Sequence, residues 1–303
     1  MNLLNRRKRT GTVSLTADIL IYIFAALVVL ATVYPMYYVF ILSISAPREA
    51  VTMRVYWFPK GFYLDGYSKV IKDMRLWRSY LNTIIYAVTT AFGMLITCVL
   101  AGYALSSKKL FGRKFLNIYL LIPMYITGGL IPTFLLITKL GLYNTPLAII
   151  IPGAINIWYI ILMKSFFDSI PESMRESARI DGANNYTILL KIYIPLSKPI
   201  LAVIALYTII NVWNNWFNAA LYIVNEKWQP LQIYLRKILV KGEIDLTKEI
   251  LSPEEIIVAM QQKLSNEQLK YTVVILSSIP MLLAYPFFQK YFVKGVMIGS
   301  LKE

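Results

Sequence analysis

Long apolar stretches without a charged residue alternate with polar segments along the whole chain. A helix that crosses a bilayer needs about 20 mostly apolar residues, and a charge at its centre costs about 2.5–3.5 kcal/mol on insertion scales. Six stretches meet both conditions: Ile19–Ser45, Tyr80–Ser107, Phe115–Thr138, Leu142–Met163, Pro199–Asn225 and Tyr271–Gln289. The pattern therefore predicts an all-α membrane protein with six transmembrane helices in a single domain over residues 1–303.

Proline and glycine interrupt the third and fourth of these spans. The residues concerned are Pro123, Gly128, Gly129, Pro132, Pro152 and Gly153. Spans of this kind are usually kinked or broken, because neighbouring helices or water satisfy the freed backbone groups. We expect both spans to be irregular, and the third is a candidate for two half-helices.

Three connecting segments are long enough to carry function: Ala46–Ser79, Glu226–Lys270 and the polar segment 168–199. With six spans, both termini and the segment 168–199 lie on one side, and the other two segments are outer loops. Lys and Arg occur in nearly equal numbers on the two sides. Since their excess marks the cytoplasmic side, charge counting leaves the orientation open.

Composition agrees with a membrane protein and excludes several function classes. Of 303 residues, 57% are apolar and 16% are charged, and the mean hydropathy is +0.57. The net charge of +15 comes from basic residues divided among short segments, whereas nucleic-acid binding needs them gathered on one surface. The chain has no histidine and one cysteine, Cys98. We therefore expect no catalytic site, no metal site and no nucleic-acid partner.

The segment 168–199 has the signals of two helices joined by a turn. Pro171 suits the first turn of a helix, with Asp168 or Ser169 available as its cap, and Gly182 suits a left-handed stop. A second helix is expected from about Asn185 to just before Pro195. By helical spacing, one face of the first helix carries Met174, Ser177, Ala178 and Asp181. The residues alone leave two interpretations open, an interfacial helix and a docking element for a partner.

The fifth span combines amides with aromatic rings. The residues are Asn211, Trp213, Asn214, Asn215, Trp216 and Asn218, and Asn156 is a further candidate in the fourth span. We expect Asn211, Asn214, Asn215 and Asn218 to share one helical face. Amides match sugar hydroxyls and rings stack on pyranoses, so this face is a candidate path for a neutral sugar. The alternative is that the amides bond to neighbouring helices.

The segment 168–199 resembles the EAA loop of ABC-importer permeases. The residues that carry the resemblance are Glu176, Ser177, Ala178, Arg179, Ile180, Asp181, Gly182 and Ala183, followed by Ile194 and Pro195. Ser177 replaces the first Ala of the family pattern but keeps the residue small. Further similarity, to carbohydrate-uptake permeases related to the maltose transporter, lies in Phe58-Pro59, Leu64–Tyr67, Tyr80–Thr83, Trp213–Phe217 and Tyr291–Lys302. The last run is most similar to that of the lipoprotein-associated poly- and oligosaccharide permeases.

This resemblance implies a type I ABC importer permease fold in a bacterial plasma membrane, with both termini and the EAA loop cytoplasmic. It implies coupling to an ABC ATPase dimer, which binds ATP and Mg²⁺, through Glu176, Ser177, Ala178, Asp181, Gly182, Ala183 and Pro195. A second ATPase contact would lie in the tail, at Gly295, Met297 and Gly299. A second related permease would complete a heterodimer, and a solute-binding lipoprotein would meet the outer loop 226–270.

The function that follows is the import of oligosaccharides or glycans by an ATP-driven transporter. The chain itself would be no enzyme, because it lacks the phosphate-binding Gly-x-x-x-x-Gly-Lys-Ser/Thr run. A permease of the same class for a non-sugar neutral solute is the alternative. An ion-coupled secondary transporter usually keeps an ionisable residue inside the membrane, and the six spans have none.

Overall fold

The computed structural model describes residues 12–52, 54–241 and 253–300, and within them the chain is helical with no strand. The helices are α1 (Thr12–Ser43), α2 (Pro47–Val51), α3 (Asp65–Lys72), α4 (Met74–Ser106), α5 (Arg113–Tyr125), α6 (Leu130–Lys139), α7 (Leu147–Gly153), α8 (Ile157–Asp168), α9 (Glu172–Ile180), α10 (Asn185–Ile188), α11 (Ile194–Leu196), α12 (Lys198–Asn214), α13 (Phe217–Tyr222), α14 (Leu231–Lys241) and α15 (Pro253–Ser300). A π-helical turn, Leu189–Tyr193, joins α10 to α11, and Glu226–Trp228 is a short 3₁₀ helix. The expected all-α class is confirmed.

Two compact units make up the chain. The first comprises the described residues of Met1–Lys72 and Ile238–Leu276, and the second those of Asp73–Lys237 and Ser277–Glu303. The prediction of a single domain over residues 1–303 stays a prediction.

The first unit is held together at the end of α1. The apolar window of Ala17–Ser43 is unburied, as expected of a helix that faces lipid, but Ile41 and Leu42 are buried against Ala50 and Val55. The fully buried Gln268 amide of α15 donates hydrogen bonds to the carbonyl oxygens of residues 43, 45 and 63, at 3.3, 2.9 and 3.4 Å. These bonds satisfy carbonyl groups that have no hydrogen-bond partner within a helix.

The second unit is built around the long helix α4, which packs against α8 and α12. In the core that they share, four side chains are 1% exposed or less: Cys98 of α4, Met163 and Phe167 of α8, and Ile204 of α12. A Cβ atom on Gly102 would lie 2.9 Å from Met163 Cγ and 3.2 Å from the Lys164 nitrogen. Helices approach this closely in membranes only where one of them presents a small residue.

The number of membrane spans is between three and five by length and composition of the described residues. Three helical segments are each long and apolar enough to be a membrane span: Ala17–Ser43, Met74–Ser106 and Leu147–Asp168. The pair α5 and α6 is bent by 112°, and Asn185–Leu196 is bent by 77° against α12; each pair could form one further span. The sixth predicted span, Tyr271–Gln289, falls within α15. The count of six therefore stays a prediction.

The expected irregularities all occur, and each has a local cause. The third span divides at Ile126–Gly129, where Gly129 has φ +83°. In the fourth span, α7 ends at Gly153, and the Asn156 side chain caps α8 by accepting from the Tyr159 nitrogen at 3.3 Å. The fifth span also breaks, at Asn215 and Trp216, which the sequence analysis did not anticipate.

The close approach of α4 and α8 predicts the effect of a substitution at Gly102. Gly102→Val should force the two helices apart, since overpacking a tight contact costs about 1–3 kcal/mol. Thermal unfolding in detergent should show a clearly lower midpoint for this variant. Gly128→Ala is the control, because its Cβ would meet only Pro132 Cβ, at 3.7 Å. Equal midpoints for the two variants would contradict the close packing at Gly102.

Candidate functional site

The first helix of the segment 168–199 is α9, and its end is defined by a glycine in the left-handed region. Gly182 has φ +79°. Its nitrogen donates to the Arg179 carbonyl at 3.0 Å, and the Ala183 nitrogen donates to the Ala178 carbonyl at 2.9 Å. This pair of bonds is a Schellman motif, so the predicted stop at Gly182 is confirmed.

The start of α9 differs from the prediction. Pro171 takes the N-cap position, where it makes no side-chain cap bond. Asp168 does not cap the helix because two cations hold its carboxylate: Lys164 Nζ donates at 2.8 Å and Arg113 Nη2 at 3.4 Å. Charge-assisted hydrogen bonds of this kind are stronger than those to a neutral backbone N–H.

The second helix does not end before Pro195 as expected. It begins with Asn184, whose side chain accepts from the Thr187 nitrogen at 2.8 Å, and continues through Pro195 to Leu196. Proline lacks an N–H and clashes with the carbonyl four residues earlier. The wider π turn of Leu189–Tyr193 stands in front of it, and such turns are typical of places where the α-helical ladder is interrupted.

A buried arginine joins α9 to the C-terminal end of α4. Arg175 is 6% exposed. Its Nη2 donates to Ser107 Oγ at 3.2 Å, and its guanidinium carbon lies 5.3 Å from the centre of the Tyr103 ring. The Tyr103 ring in turn contacts the rings of Phe167 and Tyr193 edge-on, at 6.2 and 5.1 Å. The segment 168–199 is therefore fixed to α4 and α8 by a cation inserted among aromatic rings.

An ion pair adds to this attachment at the start of α9. Lys108 Nζ lies 3.0 Å from Glu172 Oε2. The hydrogen bond from Lys108 lowers the pKa of the Glu172 carboxyl below its usual value. The negative charge of Glu172 also sits in the first turn of α9, where the helix dipole favours it.

The structure divides the predicted coupling residues into an outward and an inward set. The outward set is exposed and comprises Glu176, Ser177, Asp181, Gly182 and Pro195. The inward set is half-buried against the hydrophobic core and comprises Ala178 and Ala183. The predicted face of α9 is therefore not uniform, because its small residue Ala178 packs against the protein itself.

Three apolar residues lie exposed beside the outward set: Met174, which was predicted on this face, and Ile180 and Tyr186, which were not. Met174 is 40% exposed, Ile180 86% and Tyr186 75%. We call this surface the α9 patch: Met174, Glu176, Ser177, Ile180, Asp181, Gly182 and Tyr186. Ile180 directly precedes Asp181 in the motif run, so an apolar residue at the end of a polar helix was the available signal. An apolar centre with a polar rim is typical of a protein–protein interface.

Four of the predicted path residues line one cavity of about 260 Å³ in the second unit. They are Asn156, Asn211, Asn215 and Asn218. We call this space the amide cavity. Its lining includes Tyr159 and Thr208 and no charged side chain. The Asn211 amide donates to Tyr159 Oη at 3.4 Å, and Asn215 Oδ1 accepts from the Asn218 nitrogen at 3.1 Å.

The other three residues of the fifth span lie elsewhere. Trp213 and Asn214 line a second cavity, of about 360 Å³, together with Gln232 of α14. Trp216 packs edge-on against Phe217, with ring centres 5.6 Å apart. Asn214 lines this second cavity and not the amide cavity of Asn211, Asn215 and Asn218, and the helix breaks directly after it.

The predicted tail contact falls at the end of α15. Gly295, Met297 and Gly299 lie in its last turns, and the end of that segment, Leu301 and Lys302, lies outside the described residues. The same is true of residues 242–252 in the predicted outer loop.

Known proteins resemble this chain over nearly its whole length. A polygalacturonan/rhamnogalacturonan transport system permease protein of Bacillus subtilis, YtcP, is 35% identical over 291 residues, which are 94% of this chain and 98% of the relative. A maltodextrin transport system permease protein of the same organism, MdxG, is 30% identical over 96% of this chain and 99% of the relative.

A solved structure shares both sequence and fold. A chain of a bacterial ABC transporter involved in the import of the acidic polysaccharide alginate matches with a TM-score of 0.82 and 35% identity, covering 94% of this chain and 99% of that chain.

The family model for binding-protein-dependent transport system inner membrane components matches residues 93–298. These residues contain α9, the amide cavity and the C-terminal part of α4. Members of this family are transport subunits and not enzymes, and a separate ATPase hydrolyses the ATP. The chain therefore belongs to the inner membrane components of binding-protein-dependent transport systems, with the ABC importer permease fold, and is a permease subunit of such an importer.

Proposed function

We propose that this permease carries an oligosaccharide or glycan across a bacterial plasma membrane. An extracellular solute-binding lipoprotein would deliver the solute, and an ATPase dimer on the cytoplasmic side would supply the energy. One observation carries the proposal: a chain similar over its full length to glycan permeases contains an uncharged cavity lined by four asparagines.

The chemistry of the amide cavity suits a neutral, hydroxyl-rich part of a solute. Each carboxamide offers two N–H donors and one carbonyl acceptor, which matches the dual character of a sugar hydroxyl. The volume of about 260 Å³ is close to the lower end of the range for ligand pockets, about 300–1,000 Å³. The cavity would therefore hold a short part of a chain, such as one or two sugar rings, rather than a whole polymer.

The relatives point to the same solute class. Their names specify polygalacturonan and rhamnogalacturonan, maltodextrin and alginate, which are all carbohydrates. A non-sugar neutral solute would fit the uncharged cavity as well, but none of these relatives is named for one. We therefore favour a glycan and leave the non-sugar solute as an outcome of the experiment below.

The topology we propose has six spans with both termini in the cytoplasm. The sixth span would lie within α15, and the segment 168–199 would be cytoplasmic, because it resembles the coupling loop of the family. The outer loops 46–79 and 226–270 would then face the solute-binding protein. A second, related permease would complete the translocation path as a heterodimer.

Coupling would proceed through the α9 patch. Closure of the ATPase dimer would move α9, and the buried Arg175 would carry that movement to the inner end of α4. The helix that follows is equally fixed, since Ile188, Leu189 and Tyr193 are at most 5% exposed. The segment and the core would move together, as in rigid-body switches between two states.

The residues of the coupling motif would then have distinct roles. Glu176, Ser177 and Asp181 would give polar contacts to the ATPase, and Ile180 would supply the apolar centre of the interface. Gly182 would end the helix and permit close approach. Ala178 and Ala183 would support the loop from beneath, and Pro195 would set the bend before α12. The tail at Gly295, Met297 and Gly299 would be a second ATPase contact.

A glycan panel tests the proposed solute. The complete transporter in proteoliposomes, with its solute-binding protein, should hydrolyse ATP faster in the presence of one or more oligosaccharides. Asn211→Leu should raise the apparent KM for that oligosaccharide about tenfold, since an unpaired sugar hydroxyl costs about 1–3 kcal/mol. Asn117→Leu is the control, because Asn117 bonds to the Arg113 carbonyl on α5 and does not line the cavity.

Two results would overturn this proposal. Stimulation by a non-sugar solute alone would make the chain a permease for a different solute class. An unchanged KM in Asn211→Leu would show that the amide cavity is not part of the path.

The α9 patch predicts a second result, on assembly. Ile180→Asp should weaken co-purification of the ATPase in mild detergent at least tenfold, because it places a charge at the centre of an apolar contact. Insertion into the membrane should be unchanged, as the Ile180 side chain is 86% exposed. Phe111→Asp is a matched control, an equally apolar residue that is 98% exposed on the neighbouring turn. Equal loss in both variants would contradict a specific role for α9.

A further inference from the structure

An arginine lies over the ring of a tryptophan that directly follows a residue of the amide cavity in the chain. The Arg236 guanidinium carbon of α14 is 3.8 Å from the centre of the Trp216 ring. Both side chains are exposed, the Trp216 ring by 42%. Trp216 directly follows Asn215, and both Asn215 and Asn218 line the amide cavity. A guanidinium and an aromatic ring thus contact each other close in the chain to two residues of the amide cavity.

Polar residues of α4 hold the start of α14, the helix that carries Arg236. The Asn82 amide donates to the Lys227 carbonyl at 2.9 Å, and Tyr86 Oη donates to the Trp228 carbonyl at 2.8 Å. The Leu231 nitrogen, at the start of α14, donates to Thr83 Oγ1 at 2.8 Å. Such a set of bonds holds α14 in place, so Arg236 is carried by a rigid element and not by a loose loop.

A hydrogen bond between side chains also holds the middle of α14. Tyr234 Oη donates to Asp73 Oδ2 at 3.1 Å. The same carboxylate caps α4 and accepts from the Arg75 side chain. The hydrogen bond from Arg75, more than any other contact, lowers the pKa of Asp73. Asp73 therefore stays ionised near neutral pH and keeps its hydrogen bonds with Arg75 and Tyr234.

The second cavity is lined in part by a residue of α14 that lies close to Arg236 in the helix. Gln232 lies one helical turn before Arg236 on α14, on the same face. Together with Trp213 and Asn214 it lines the space of about 360 Å³. Gln232 thus places one amide of the second cavity on the same helix face as Arg236.

Positive charge dominates this end of the second unit. The charged residues of segments 73–79 and 226–237 are Asp73, Arg75, Arg78, Glu226, Lys227, Arg236 and Lys237. The two acids are already engaged: Asp73 pairs with Arg75 and Glu226 with Lys237. Within the described part of the chain Arg236 contacts the Trp216 ring and pairs with no acidic side chain. The arginine therefore retains charge and N–H donors for a ligand.

We propose that Arg236, held over Trp216, binds the carboxylate of a uronic-acid residue in the transported glycan. This inference rests on the proposed function and specifies its substrate as an acidic oligosaccharide. A guanidinium fork matches a carboxylate in two parallel hydrogen bonds. The exposed part of the Trp216 ring offers an apolar surface to the pyranose, and the neighbouring amides meet the hydroxyls.

Two of the relatives support an acidic substrate. The alginate transporter is described as importing an acidic polysaccharide, and the relative YtcP is named for polygalacturonan, a polymer of uronic acid. Arg and Trp also occur together at membrane interfaces as anchors for lipid headgroups. That role would be insensitive to the charge of the solute, and the experiment separates the two.

Direct binding measures the role of the carboxylate. The assembled transporter in nanodiscs, without its solute-binding protein, is titrated by calorimetry with trigalacturonate, with an alginate trisaccharide and with the methyl ester of each. We expect the acids to bind at least about tenfold more tightly than their esters, the usual worth of a charge-assisted hydrogen bond. Arg236→Gln should abolish this preference and leave ester binding unchanged, and Arg236→Lys should retain part of it.

A matched control variant shows whether the preference for the acid depends on Arg236 in particular. Arg78→Gln removes an exposed arginine of the same region and should keep the preference for the acid. Equal binding of acid and ester by the unaltered transporter would overturn the inference, and so would parallel losses for both ligands in Arg236→Gln. If oligosaccharides stimulate ATP hydrolysis but neither ligand binds, the inference fails while the proposed function stands. Absence of stimulation by any glycan would instead refute the proposed function.

Discussion

The tight packing of α4 against α8 is the constraint on which the other features depend. Gly102 allows the two helices to meet with Met163 directly against the backbone. The next residue, Tyr103, and Ser107 at the C-cap of α4 hold Arg175 and hence α9. Near its N-terminal end, α4 holds the segment before α14 through Asn82, Thr83 and Tyr86. Because a helix transmits displacement along its axis with little deformation, one element links the proposed coupling surface to the proposed solute entrance.

Features that depend on local backbone chemistry could be predicted from the sequence. Charge-free stretches identified most of the long helices, because the cost of burying a charge acts on every residue of a span. Gly182 could be recognised as a helix stop because only glycine adopts φ +79° without strain. Gly128 and Gly129, with Pro123 before them, indicated the break between α5 and α6. In each case the deciding interaction lies within a few residues of the position predicted.

Features decided by tertiary contacts could not be predicted in this way. Ala178 has the spacing of the outward face, yet it packs inward because Arg175 draws that side of α9 onto the aromatic rings of the core. Pro195 does not end its helix, since the preceding π turn stands where its ring would clash. Asn215 and Asn218 lie beyond the break that follows Asn214, and the Asn215 side chain accepts from the Asn218 nitrogen instead of continuing the pattern of α12. Helical spacing alone assumes an unbroken helix.

The absence of charged residues from the spans does not determine whether the solute is charged. The six predicted spans contain no charged residue, which by itself favours a neutral solute. The cost of a charge, however, is greatest at the bilayer centre and falls toward the interface. A permease that must recognise a carboxylate can therefore place its cation at the end of a span, where water still solvates it. Arg236 lies outside the charge-free stretches and contacts a tryptophan at the break in the fifth of them, so in the proposed topology it would hold such a position. Charge-free spans thus restrict where an acidic group can be recognised, and they leave open whether the solute carries one.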